Sequence, residues 1–179
     1  RNTIMALEAE GRGSLFLLVQ GGRLRRRLTQ ALCLMSEIPT FAALCADCGK
    51  SFGHPLLSDF SYGECIFYTL DGRHCVHANV FVGDSGAFAQ RVSALHKRCN
   101  YKPGTFWPVL ASLADPVAGQ AFTSSIRCPH CGSKNLASWG GNKTGSTPVP
   151  AASFTSALAL SDQEIIERVM AISGATVQA

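Results

Sequence analysis

The chain has 179 residues, of which 46% are hydrophobic, so it is long enough for one domain with a buried core. Its net charge of +4 comes from residues 1 to 34, where six Arg face two Glu. Residues 35 to 179 have no net charge, which argues against a general polyanion-binding surface there. No apolar run reaches the ~18 to 20 residues of a membrane span, which excludes a membrane-spanning helix.

Eight cysteines fit either a secreted disulfide framework or an intracellular metal protein. The apolar run from Leu15 to Val19 precedes the basic run from Arg23 to Arg27, whereas a secretory signal has the opposite order. We therefore expect a cytoplasmic protein without membrane contact, in which thiols stay reduced and Cys-x-x-Cys pairs serve as metal clamps.

Residues 1–35 differ from the rest by their arginines and paired glycines. This composition favours a flexible arm, or translated sequence that precedes a native start at Met35. The alternative is a short basic amphipathic helix from Arg23 to Leu34 that contacts nucleic acid or a membrane surface.

Residues 36–139 are predicted to form the main domain. Residues 40–53 indicate a strand that enters a tight turn, and residues 126–136 have the same form. Between them, the aromatic and β-branched runs 64–70 and 73–81 are joined by Asp71-Gly72. This dipeptide suits a two-residue type I′ turn and predicts a β-hairpin.

Two short helices are expected after the hairpin. Apolar residues at Phe88, Val92 and Leu95 predict a helix over 87–98, with Asp84 or Ser85 near its N-cap. A second helix over 107–113 should end before Pro116, because proline disfavours helix in the preceding residue.

The C-terminal part is predicted to be a linker over residues 140–160 and an amphipathic helix over 161–174. Ser161 and Glu164 form a capping box at the start of this helix. The apolar stripe must be covered, either by the chain's own domain, by a second copy, or by a partner protein. Its members are Ile165, Ile166, Val169 and Ile172.

Two Cys-x-x-Cys-Gly turns carry the clearest chemical signal. Zinc takes four ligands in a tetrahedron, and each such turn supplies two thiolates together with backbone amides that face the sulfurs. The glycine after each pair suits the left-handed conformation with which the chain leaves the turn. The sequence therefore predicts one Zn²⁺ bound by Cys45, Cys48, Cys128 and Cys131.

The segments Cys45-Ala-Asp-Cys48-Gly49-Lys50 and Cys128-Pro-His-Cys131-Gly132-Ser133 resemble the paired knuckles of zinc-ribbon proteins. The resemblance covers about a dozen residues of each turn and implies a four-cysteine zinc site between two β-hairpins. The 79 residues between Cys48 and Cys128 exceed the ~15 to 20 of a compact ribbon. We therefore expect an α+β fold: a split zinc ribbon with an inserted β-hairpin, short helices and a C-terminal helix.

A second metal site is an alternative for Cys75, His77, His96 and Cys99. The first two share one face of a predicted strand, and the last two share one face at the end of a predicted helix. The competing interpretation, which we favour, is that the two pairs never meet and that the cysteines pack as small apolar residues.

The sequence contains no Walker loop, dinucleotide-binding fingerprint or His-Glu-x-x-His motif. The pattern favours a non-enzymatic interaction or adaptor protein, in which zinc maintains the fold and the partner is a protein or a second copy. The rival is a nucleic-acid-binding zinc ribbon that uses the N-terminal arm with Arg127, Lys134 and Lys143. An enzyme with an unrecognised Cys/His site is the third hypothesis.

Overall fold

The computed structural model describes residues 35–99, 102 and 104–174. The predicted arm lies outside these residues, apart from Met35. Two units divide the chain: the first ends at Met35, and the second, a compact one, begins at Ser36. The second contains two sheets and several helices, which confirms the predicted α+β class.

The first sheet is built around one long strand. This strand, β1, pairs antiparallel with β2 from Thr40↔Pro55 to Leu44↔Ser51, so the first Cys-x-x-Cys turn closes a hairpin. Two later strands, β6 and β7, also pair with β1. The bounds are Met35–Cys45 for β1, Ser51–Pro55 for β2, Leu136–Ser138 for β6 and Lys143–Pro150 for β7.

The structure differs from the linker expected over residues 140–160, because β7 lies within it. A long strand such as β1 offers backbone groups that need partners, and this outweighs the weak strand propensity of Gly, Pro and Ser. Thr144 Oγ1 donates to Thr40 Oγ1 at 3.0 Å, and Val149 is fully buried. Beyond β7, Ala152 N donates to His77 O at 2.8 Å and so joins the segment to the second sheet.

The second sheet has the order β4-β3-β5. The predicted hairpin is present, with β3 and β4 paired antiparallel from Glu64↔Asn79 to Tyr68↔Cys75. The bounds are Glu64–Thr69 for β3, Cys75–Asn79 for β4 and Phe122–Thr123 for β5.

The two-residue turn expected at Asp71-Gly72 is replaced by a wider loop. Gly72 has φ 71°, whereas Asp71 does not take the positive φ that a type I′ turn requires. The Thr69 hydroxyl donates to Asp71 Oδ1 at 2.6 Å and accepts from His74 N at 3.0 Å. These side-chain bonds hold the four residues between Thr69 and His74 as a loop.

Helix α1 spans Gly83–Arg98 and helix α2 spans Phe106–Leu113. Helix α1 begins earlier than expected, with Val82 at its N-cap and no side-chain cap. The Ser85 hydroxyl instead donates to Ala152 O at 3.2 Å. Helix α2 ends at Leu113, as Pro116 predicts. None of the helices in the described residues is long and apolar enough to cross a membrane.

The C-terminal helix folds back onto its own domain. A short helix α3, Thr155–Leu158, precedes helix α4, Asp162–Ser173. The capping box of Ser161 and Glu164 is present, and Gly174 ends α4 with φ 60°. Helix α4 contacts α1 and α2, with Ile165 and Val169 fully buried. The same chain therefore covers the apolar stripe, and α4 is part of the core rather than a separate docking element.

The main core lies between one face of the second sheet and the helices. Alternation along the strands directs every second side chain to this face. Buried members include Phe67, Val76 and Ala78 from the sheet, Phe88, Val92 and Leu95 from α1, Val109 and Leu110 from α2, and Ile165 and Val169 from α4.

We expect Ile165→Ala to lower the free energy of unfolding by about 2 to 5 kcal/mol, because it leaves a cavity in this core. Ile172→Ala makes the same change on α4 where the side chain is 37% exposed, and should cost less than about 1 kcal/mol. Urea denaturation measures both variants. Equal losses would contradict the packing of α4 against α1 and α2.

Candidate metal centre

The structure brings Cys45, Cys48, Cys128 and Cys131 together. All four Sγ atoms lie within 4.8 Å of one another. Cys45 Sγ is 3.6 Å from Cys131 Sγ, and Cys48 Sγ is 3.7 Å from Cys128 Sγ. A tetrahedron with Zn–S bonds of about 2.3 Å has edges of about 3.8 Å, whereas a disulfide is about 2.05 Å long. The spacing therefore fits four ligands around one ion.

Both knuckles have the same backbone hydrogen bonds. In the first, Cys45 N donates to Lys50 O and Gly49 N donates to Cys45 O, both at 3.1 Å. The equivalent bonds in the second, both 2.8 Å, run from Cys128 N to Ser133 O and from Gly132 N to Cys128 O. Gly49 and Gly132 have φ 69° and 71°, so each glycine supplies the left-handed conformation expected from the sequence.

The two knuckles differ in the strands around them. The first closes the β1–β2 hairpin, as the ribbon resemblance implies. The second lies between β5 and β6, which belong to different sheets, so the expected second hairpin is not formed. Strand β6 instead pairs with β1 at Cys45↔Leu136, and Ala46 N donates to Asn135 O at 2.9 Å.

Asp47 connects the knuckles through its side chain. Its Oδ2 accepts from Ser133 Oγ at 2.5 Å, and its Oδ1 accepts from Asn135 Nδ2 at 3.1 Å. These hydrogen bonds lower the pKa of the Asp47 carboxyl, and the bond from Ser133 makes the largest contribution. Asp47 occupies a variable position of its Cys-x-x-Cys turn, so no sequence signal identifies this role.

Backbone amides face the sulfurs and favour the thiolate form. The Cys48 amide makes the largest contribution at Cys45 and outweighs burial, so the pKa of Cys45 is lowered to about 7. At Cys131 the Ser133 amide also lowers the pKa, but burial and the neighbouring thiols together raise it to about 12. Crowded sulfurs resist joint ionisation unless a cation lies among them, and a metal ion supplies that charge.

The cluster is closed on one side and open on the other. Cys45 and Cys128 are buried, whereas Cys131 is exposed. Cys131 and His130 border a shallow depression that Arg73 also lines. Of the four cysteines, Cys131 alone lines this depression, and Cys48 is half-buried.

The structure does not bring Cys75 and His77 together with His96 and Cys99. Alternation along β4 is the reason: Val76 and Ala78 face α1, so Cys75 and His77 lie on the opposite face of the sheet. His77 Nδ1 lies 3.2 Å from Ser36 Oγ, and His96 Nε2 lies 2.8 Å from Thr105 Oγ1. Cys99 is buried in the main core, as the packing interpretation expects.

Among residues 35–99, 102 and 104–174, the four-cysteine cluster is the single group of three or more His, Cys, Asp or Glu placed to hold a metal ion. Outside it, burial raises the pKa of Cys65 to about 12 and also raises the pKa of Cys75. Both thiols are therefore protonated at neutral pH, which does not favour either as a catalytic nucleophile.

Comparison with known proteins adds no further assignment. The resemblance to zinc ribbons rests on the two knuckles, and the case for a metal rests on the geometry of the four sulfurs. No family model, curated protein or solved structure matches the chain.

Proposed function

We propose that the chain binds one Zn²⁺ through Cys45, Cys48, Cys128 and Cys131, and that this zinc maintains the fold. The observation that carries the proposal is the set of four sulfurs within 4.8 Å of one another. Four thiolates complete the shell of a structural zinc, whereas catalytic zinc keeps one position open for water or substrate. The donor set therefore supports a structural ion.

A structural ion would stabilise the contact between the two knuckles. In the sequence, 79 residues lie between the two knuckles, so bringing the knuckles together has a substantial entropic cost. The apolar cluster that joins the two sheets is small: it consists of Ile38, Ile66, Tyr68 and Val149 with three partly buried neighbours. Metal binding adds its own free energy to folding.

We expect about one zinc per chain in the wild type and a loss of both zinc and thermal stability in Cys128→Ser, because three thiolates leave the shell incomplete. Elemental analysis and thermal denaturation measure the two effects. Cys75→Ser is the matched control: it makes the same change at a half-buried cysteine outside the cluster and should keep its zinc. Full zinc content with unchanged melting in Cys128→Ser would refute the proposal.

We expect Asp47→Ala to weaken zinc binding by about 10- to 100-fold while one zinc per chain still binds at saturation, because polar residues around metal ligands orient them. Competition with a chromophoric chelator gives the affinity. Asp59→Ala removes an exposed carboxylate outside the cluster and serves as the control. Equal affinities in the two variants would show that the bonds from Asp47 to Ser133 and Asn135 do not orient the knuckles.

An exposed aromatic surface supports a role in protein interaction. Phe60, Tyr62, Phe81 and Val82 are between 64% and 84% exposed. A Cβ at Gly63 would lie 2.1 Å from the Phe81 ring, so Phe81 packs against the loop that carries Phe60 and Tyr62. Residues 56–63 and 80–82 contain no Lys or Arg. Aromatic surfaces without positive charge are typical of protein-binding faces rather than nucleic-acid platforms.

Nucleic-acid binding through the arm remains the rival, and the arm lies outside the described residues. We expect a chain of residues 35–179 to keep its zinc and its melting temperature. We also expect that neither this shorter chain nor the full chain binds oligonucleotides. Fluorescence anisotropy at low and high salt measures binding. Salt-sensitive binding that disappears with residues 1–34 would favour the nucleic-acid-binding zinc ribbon instead.

A further inference from the structure

A cleft of about 260 Å³ opens beside the second knuckle. Four parts of the chain form it: the β1–β2 hairpin with His54, the β3–β4 hairpin with Arg73 and His74, the segment of Arg127 ahead of the knuckle, and β7 with Thr147. None of the four clustered cysteines lines it. A Cβ at Gly72 would lie 2.7 Å from Arg127 O, so the loop rests directly on the knuckle backbone and brings these parts together.

Two Arg and two His line the cleft and no Asp or Glu does, so its positive charge comes from the arginines. Arg127 is half-buried, and its Nη1 donates to Gly132 O at 3.2 Å. Its Nε is buried without a hydrogen-bond partner, and the described residues provide Arg127 with no ion pair. A guanidinium withdrawn from water without a carboxylate is costly, and a bound anion would offset this cost.

His54 contributes a hydrogen-bond acceptor. Its side chain is 2% exposed, and Nδ1 lies 3.2 Å from Pro55 O, which can only accept. Nδ1 therefore carries the proton, and in the neutral ring Nε2 carries a lone pair. Burial lowers the pKa of His54, which favours that neutral ring. Nε2 is itself buried without a partner.

We propose that this cleft binds an oxyanion that also carries a hydrogen-bond donor, which is the chemistry of hydrogen phosphate, either free or as a small monoester. Arg127 donates to the phosphate oxygens, and His54 Nε2 accepts from the P–O–H group. Sulfate and carboxylates offer similar oxygens but no donor at neutral pH. The volume of about 260 Å³ lies below the ~300 to 1,000 Å³ of ordinary ligand sites, so a small ligand fits best.

Isothermal titration of the metal-loaded full chain tests the proposal with inorganic phosphate, phenyl phosphate and sulfate. A pH of about 6.5 suits the test, because the second pKa of a phosphate group is about 6 and part of the monoester still holds a proton. We expect one site per chain that binds phosphate at least about tenfold more tightly than sulfate. Tighter binding of phenyl phosphate indicates a monoester as ligand, and tighter binding of inorganic phosphate indicates the free ion. Either result supports a site for an oxyanion that carries a hydrogen-bond donor.

Arg127→Gln should weaken phosphate binding at least about tenfold. Arg98→Gln removes the same charge from the exposed end of α1 and should leave binding unchanged. His54→Phe removes the acceptor and should abolish the preference for phosphate over sulfate. Its melting curve and zinc content show whether this buried substitution leaves the fold intact.

Nuclear magnetic resonance of the histidine rings gives a measurement that needs no variant. The Nε2 signal of His54 should shift on addition of phosphate and not of sulfate. A dissociation constant above about 10 mM for both phosphates, equal affinities for phosphate and sulfate, or equal losses in Arg127→Gln and Arg98→Gln would each overturn the proposal.

Discussion

The meeting of two short turns from distant parts of the chain is the constraint on which the surrounding structure depends. The first turn follows β1, and the second lies between a strand of one sheet and a strand of the other. Because the four sulfurs lie within 4.8 Å of one another, the segment between β5 and β6 passes next to the end of β1. Strand β6 then pairs with β1 at Cys45, and β7 continues along the same strand. A metal at this point would hold the sheets together, which the sparse apolar contacts between them do only weakly.

Features set by bonds within a few residues could be predicted from the sequence. Each knuckle is closed by bonds between residues four and five apart, and the capping box of α4 lies within Ser161–Glu164. The aromatic and β-branched runs on either side of Asp71-Gly72 also correctly predicted the β3–β4 hairpin, although not its wider loop. Features set by distant partners could not be predicted: residues 143–150 have the composition of a linker but form a strand, because β1 provides backbone groups to pair with. Likewise, periodicity placed Cys75 beside His77, but could not indicate that α1 packs on the opposite face of the sheet.

The roles of the polar residues around the knuckles could not be predicted from the sequence either. Asp47 occupies a variable position of its turn, and its partners Ser133 and Asn135 are more than 80 residues away. His54 and Arg127 are distinctive because each has a buried polar atom without a hydrogen-bond partner. That burial comes from other segments of the chain, so the sequence around each residue does not indicate it. Sequence identifies the candidate metal ligands because zinc-binding turns require a fixed local spacing. The residues that would orient those ligands or form a cleft have no such spacing.

Arg127 links the proposed metal centre to the proposed anion cleft. It directly precedes Cys128, and its Nη1 donates to Gly132 O within the second knuckle. The backbone that positions two of the sulfurs therefore also positions the guanidinium, and Gly72 brings the β3–β4 loop against that same backbone. A structural ion bound by the four sulfurs would thus also determine recognition, because the geometry of the cleft depends on the backbone of the second knuckle, which the ion would keep closed.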